Sequence, residues 1–203
     1  MPLWVASTSM VPSLVVCSLD SVLCQRPGLR PEAQFAAHEN GIATSASSDT
    51  LALYDGARQA MAFLSDEGIP VALVARTHPA QKWSTEWSNG LLNSLKVDDE
   101  RTVMDVVGDM PLIMRDGCKA SHVRSLARMT QVPFGEMLYF DDCYPDVCHV
   151  ENLGVTAVHT LDGLTSALFK DGLRRYTERT PRELPELNER LEFRVREKAI
   201  RRR

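Results

Sequence analysis

The stretch LVVCSLDSVL, Leu14 to Leu23, decides how the chain is read. Four apolar residues, Leu14 to Cys17, are followed by Ser18, Leu19 and Asp20, after which the chain turns apolar again. A short apolar run bounded by polar residues predicts a strand buried on both faces, as in a parallel sheet. It also predicts where the polar groups go. Side chains just past such a strand reach the crevice at its carboxyl end, where open α/β sheets bind ligands.

Outward from that strand, helical and extended patterns alternate. Ala57, Ala60, Met61 and Leu64 recur at helical spacing, and Gly68 stops the helix. IPVALVA, Ile69 to Ala75, is a second buried strand. Pro79 suits a first helical turn, and Trp83, Trp87, Leu91, Leu92 and Leu95 continue an amphipathic helix whose tryptophans are expected in the core. A strand is predicted around Leu112–Met114 and a helix from Ser121 to Thr130. MLYF, Met137 to Phe140, is the next strand, and a short helix reaches about Asn152. Val155 to His159 forms the last strand, and a helix runs from about Leu164 to Tyr176. This order predicts an α/β, Rossmann-like parallel sheet with helices on both faces and right-handed crossovers.

The main domain is expected over residues 1–176. The segment 24–50, rich in Pro, Gly, Ala and Ser, is too long for a plain loop and too short for a separate domain, so it is expected as a short lid or insertion. Residues 177–203 form a charged tail ending in three arginines, read as solvated surface with partner docking as the alternative.

Composition excludes several classes. The 203 residues carry 44% hydrophobic and 25% charged side chains, ordinary for a globular protein, and a net charge of -4. That charge predicts no general attraction to nucleic acid or to anionic membrane. No apolar run approaches the roughly 20 residues that span a bilayer, and the start, MPLWVASTSMVP, lacks the features of a signal peptide. The five cysteines are odd in number and show no disulfide spacing, which points to free thiols in a reducing, cytoplasmic compartment. Cys143, Cys148 and His149 cluster, but without a second ligand pair they read as ordinary thiols rather than a zinc site.

The first strand delivers Ser18 and Asp20 to the rim, and the second delivers Arg76 and Thr77. Lys119 comes from the segment before a helix; Asp141 and Asp142 end the fourth strand. Each alone has a plainer reading: the aspartates as helix caps, Lys119 as a surface lysine, Thr77 as a cap ahead of Pro79. Together on one rim they predict a phosphate and divalent-metal site. Carboxylates are hard ligands for Mg²⁺, while a lysine and a hydroxyl bind phosphate oxygens.

These motifs resemble those of the haloacid dehalogenase-like superfamily, in particular its small magnesium-dependent phosphatases. LVVCSLDSVL is similar to the first motif, D-x-D-x-T or D-x-D-x-V, and LYDGARQAMAFLSDEGIPVALVART to the second segment. GCKASHVRSLARMTQVPFGEMLYFDD is similar to the third and fourth motifs, and NLGVTAVH to the closing strand. The resemblance covers roughly residues 14–176. It implies Mg²⁺ as cofactor, with Asp20 (through its carbonyl), Asp141 and Asp142 around the metal. It implies Asp20 as the acid/base, Lys119 at the phosphate, and Arg76 and Thr77 beside it. It also implies a leading aspartate nucleophile, and Ser18 stands there instead. Ala75 stands where the family has a phosphate-binding hydroxyl, while Val22 fits its position.

The first departure matters more. An aspartate attacks phosphorus as a carboxylate and leaves well, whereas a serine needs a base and gives a phosphoserine that resists hydrolysis. A register in which Asp20 leads places Val22 at the acid/base and supplies no second carboxylate. A receiver-like phosphoacceptor fits poorly, because position 75 offers only alanine. Two functions are carried forward. One is a phosphomonoesterase of reduced activity, with phosphotyrosine, aryl or small sugar phosphates as the substrate classes the resemblance implies. The other is a non-catalytic pseudophosphatase binding a phosphorylated small molecule or phosphoprotein. Loss of one anionic ligand predicts weakened Mg²⁺ binding.

Overall fold

A computed structural model describes residues 11–24, 35–37, 42–45, 50–76 and 85–179. The main sheet has five strands: β1 (Leu14–Ser18), β5 (Val71–Arg76), β6 (Leu112–Arg115), β7 (Met137–Asp141) and β8 (Thr156–His159). They lie in the order β6-β5-β1-β7-β8, and every pairing between them is parallel. β1 is central because all five of its residues are buried, so it takes the position walled on both faces and both edges. The chain leaves β1 towards β5 and later returns to β7 on its other side. The carboxyl ends of β1 and β7 therefore flank the switch point where such sheets hold ligands.

Among the described residues six helices accompany the strands: α1 (Asp55–Asp66), α2 (Thr85–Ser94), α3 (Val103–Val107), α4 (Lys119–Thr130), α5 (Tyr144–Glu151) and, after the last strand, α6 (Ser166–Glu178). Alternation along the strands splits the core in two. Val15, Cys17, Leu73, Leu138 and Phe140 face Met61, Leu91, Leu92, Val103 and Phe169 of α1, α2, α3 and α6. Leu14, Val16, Val74, Met137 and Tyr139 face Val123, Leu126, Val147 and Val150 of α4 and α5. Each fully buried leucine or valine contributes roughly 1.5–3 kcal/mol of transfer free energy.

Close contacts fix how the helices sit. A Cβ on Gly56 of α1 would lie 2.4 Å from the Leu164 carbonyl oxygen, so α1 meets the start of α6 at a spacing only glycine permits. Gly68 ends α1 at φ 64, as its place in the sequence predicted.

The sequence did not announce α3, which is only five residues long. It is held by a capping box in which Thr102 and Asp105 satisfy each other's backbone N–H groups. The insertion contains a small antiparallel sheet of β2 (Phe35–Ala37), β3 (Ile42–Ser45) and β4 (Thr50–Ala52), with β2 and β3 beside α2. Trp83, the Trp87 side chain, Thr77 and the tail from residue 180 lie outside the described residues. None of the described helices is long and apolar enough to cross a membrane.

Candidate active site

Strand register gathers the site. Val16 of β1 pairs with Tyr139 of β7, and both side chains face α4 and α5. Two residues further on, Ser18 and Asp141 fall on that same face by the period of the strand. α4 then supplies the third group. The apolar spacing predicts a helix from Ser121; it begins at Lys119, because the chain breaks at Gly117 (φ 119) and Cys118 is already the extended N-cap. Lys119 is thus fixed in a first helical turn and driven into the crevice.

The Lys119 ammonium donates to Ser18 Oγ at 2.8 Å and to the Val74 carbonyl at 3.3 Å. It lies 3.6 Å from Asp141 Oδ2, with side-chain exposures of 5% and 1% for lysine and aspartate. Ser18 is buried as well and donates to the Asp20 carbonyl at 3.4 Å.

Asp141 is enclosed by donors. The Tyr139 hydroxyl donates to Oδ2, and the Cys143 backbone N–H donates to Oδ1 at 2.9 Å. The Thr160 N–H takes the Asp141 backbone carbonyl at 2.9 Å. Burial, and then the charge of Asp141, holds Tyr139 far above the ordinary phenol range, so its hydroxyl keeps its proton. Tyr139 went unmarked in the sequence, although its position two before Asp141 on a strand puts both on one face. Asp142 is half-buried, and burial followed by the charge of Asp141 raises its carboxyl. Its backbone carbonyl accepts from His159 Nε2 at 2.9 Å.

The remaining residues spread out. Asp20 is half-buried, its backbone is bridged to Cys24, and its charge adds to burial in pushing the Cys24 thiol up. Arg76 forms an ion pair with buried Asp146 of α5 at 2.6 Å and donates to the Gly117 carbonyl at 3.2 Å. It therefore clamps the loop before Lys119 onto α5. Ala75 is buried on the opposite face of the sheet, with Leu73 and Val71.

Mg²⁺ is the cation the motif order implies, and with Ser18 in the leading position these groups offer it one fully buried carboxylate, Asp141, where the motif has two. Mg²⁺ demands a near-octahedral oxygen set and gives up water reluctantly. Here the Ser18 oxygen accepts from an ammonium, the Asp20 carbonyl accepts from Ser18, and both Asp141 oxygens already have protein donors. Among the described residues, no three His, Cys, Asp or Glu side chains form a group that could hold a metal ion.

Comparison with known proteins supplies the lineage. Residues 10–179 match the model of a family described as Acid Phosphatase. The chain is 33% identical over 60 residues to human magnesium-dependent phosphatase 1; that match covers 30% of this chain and 34% of the relative, about a third of its length. Among solved structures it is similar, at 14% identity and TM-score 0.49, to the N-terminal part of protein BF1531 from Bacteroides fragilis, which contains a phosphatase domain complexed with Mg; 83% of this chain and 40% of that one are covered. It is also similar, at 14% identity and TM-score 0.47, to 3-deoxy-D-manno-octulosonate 8-phosphate phosphatase from Moraxella catarrhalis in complex with magnesium, phosphate and KDO, over 83% of this chain and 88% of that one. With a family match that runs from before β1 to the end of α6, the chain belongs to the acid phosphatase family.

Proposed function

We propose that this chain is a non-hydrolysing member of its phosphatase family, which binds a phosphomonoester or a phosphoprotein without efficient turnover. The observation that carries this reading is the 2.8 Å hydrogen bond from Lys119 to Ser18 at the nucleophile position. A serine attacks phosphorus only when a base takes its proton. Ser18 Oγ instead accepts from an ammonium and donates to a backbone carbonyl, which cannot act as that base. Phosphotyrosine, aryl and small sugar phosphates are the ligand classes, carried on a small molecule or on a protein. All five cysteines are free thiols, which supports a reducing, cytoplasmic setting.

The test is hydrolysis of p-nitrophenyl phosphate by the wild type, Ser18→Asp and Ser18→Asp/Ala75→Ser. The expected result is no turnover above background by the wild type and a gain in Ser18→Asp, with no further gain from Ala75→Ser. Robust wild-type turnover that disappears in Lys119→Ala overturns the reading.

A further inference from the structure

We infer that the Lys119 ammonium is the resident cation of this site, and that the protein holds its rim together without a divalent metal because Ser18 has replaced a carboxylate. The inference deepens the non-hydrolysing reading and concerns the same residues.

Charge balance carries it. Lys119 brings one positive charge and Asp141 one negative, 3.6 Å apart and both almost fully buried. The pair is neutral as it stands. A divalent ion placed here adds two positive charges to a desolvated volume whose one other buried carboxylate, Asp146, is already paired with Arg76 at 2.6 Å. Asp142, next along the chain from Asp141, is only half-buried.

Donor geometry agrees with the charge count. The ammonium spends its contacts on Ser18 Oγ, the Val74 carbonyl and Asp141, three groups from β1, β5 and β7. The Tyr139 hydroxyl and the Cys143 N–H complete Asp141. Lysine therefore ties the three central strands at their carboxyl ends, the task a bridging cation would otherwise perform. An aspartate at position 18 would leave the cluster one charge negative and give a cation two carboxylates on neighbouring strands.

The experiment measures metal directly, without any phosphate. Mn²⁺, as a magnetic surrogate for Mg²⁺, is titrated into the full-length wild type and Ser18→Asp, with the free ion counted by electron paramagnetic resonance. Thermal melts with excess MgCl₂ or EDTA run alongside. The expected result is no stoichiometric Mn²⁺ binding and an unchanged melting temperature for the wild type, and one bound Mn²⁺ with a Mg²⁺-dependent rise for Ser18→Asp. Stoichiometric binding by the wild type overturns the inference. Silence from both proteins overturns the role given to Ser18. A wild type that hydrolyses phosphate esters in EDTA would refute the non-hydrolysing reading and leave this one intact, while metal binding without hydrolysis does the reverse.

Discussion

The two sides of the crevice differ in how their polar groups are held. On the β7 and α4 side, Asp141 and Lys119 are buried, paired with each other, and supported by Tyr139 and the Cys143 N–H. On the β1 and β5 side, Ser18 has one partner in Lys119 and one in the Asp20 carbonyl, and the Ala75 side chain lies on the opposite face of the sheet. The first side consists of groups whose removal strands a buried charge. The second is where attack chemistry would reside, and its side chains can change without exposing a charge to an apolar core. A site can therefore lose its reactivity at one edge while its electrostatic frame stays in place.

The sharpest way to break this contrast is Lys119→Met. It leaves the Asp141 carboxylate buried without its cation, and removing one partner of a buried pair costs about 3–5 kcal/mol. Urea unfolding should show it as a lower midpoint at an unchanged slope; a loss below about 1 kcal/mol would mean the pair is not the frame described. Tyr139→Phe comes next. It deletes a hydroxyl bound to a charged group, for a loss of about 1.5–3 kcal/mol in the same assay. On the other side, Ser18→Ala should cost only about 1 kcal/mol, since Lys119 keeps Val74 and Asp141. Should Ser18→Ala prove as damaging as Lys119→Met, the two sides are not different in kind.

The smallest effect probes the next turn of α4. His122 is fully buried, its Nδ1 has no partner, and Nε2 lies 3.5 Å from the Asp116 carbonyl. Burial first, and then the charges of Lys119, Arg115 and Arg76, pull its pKa down, against a raising contribution from Asp116. A base whose folded pKa is depressed contributes stability that is present above its unfolded value, about 6.5, and is lost as the pH falls through it. Unfolding midpoints measured from about pH 8 to about pH 5 should therefore decline for the wild type and decline less for His122→Leu.

Much of this was readable before any coordinates. The apolar runs at Leu14, Val71 and Met137 are continuous, as strands covered on both faces must be, and each became a central strand. Ser18, Lys119 and Asp141 were expected on one rim, and they meet there. What escaped notice depends on distances between elements. α3 has too few residues to show a period, and its box uses Asp105 where glutamate or glutamine is the usual signal. Arg76 looked available for phosphate because nothing in the sequence shows that α5 turns Asp146 towards it. Tyr139 read as an aromatic core residue, and only the pairing of β1 with β7 shows its hydroxyl ending at Asp141.

The central place of β1 has one more consequence. Its amides are bonded to β5 and β7 on either edge, with Val15 N–H on the Pro70 carbonyl and Leu19 N–H on that of Val74. Protons so enclosed trade with deuterated solvent only when the whole domain opens. The backbone that presents Ser18 should thus be among the slowest-exchanging in the molecule, which makes position 18 a firm mount for any side chain placed there.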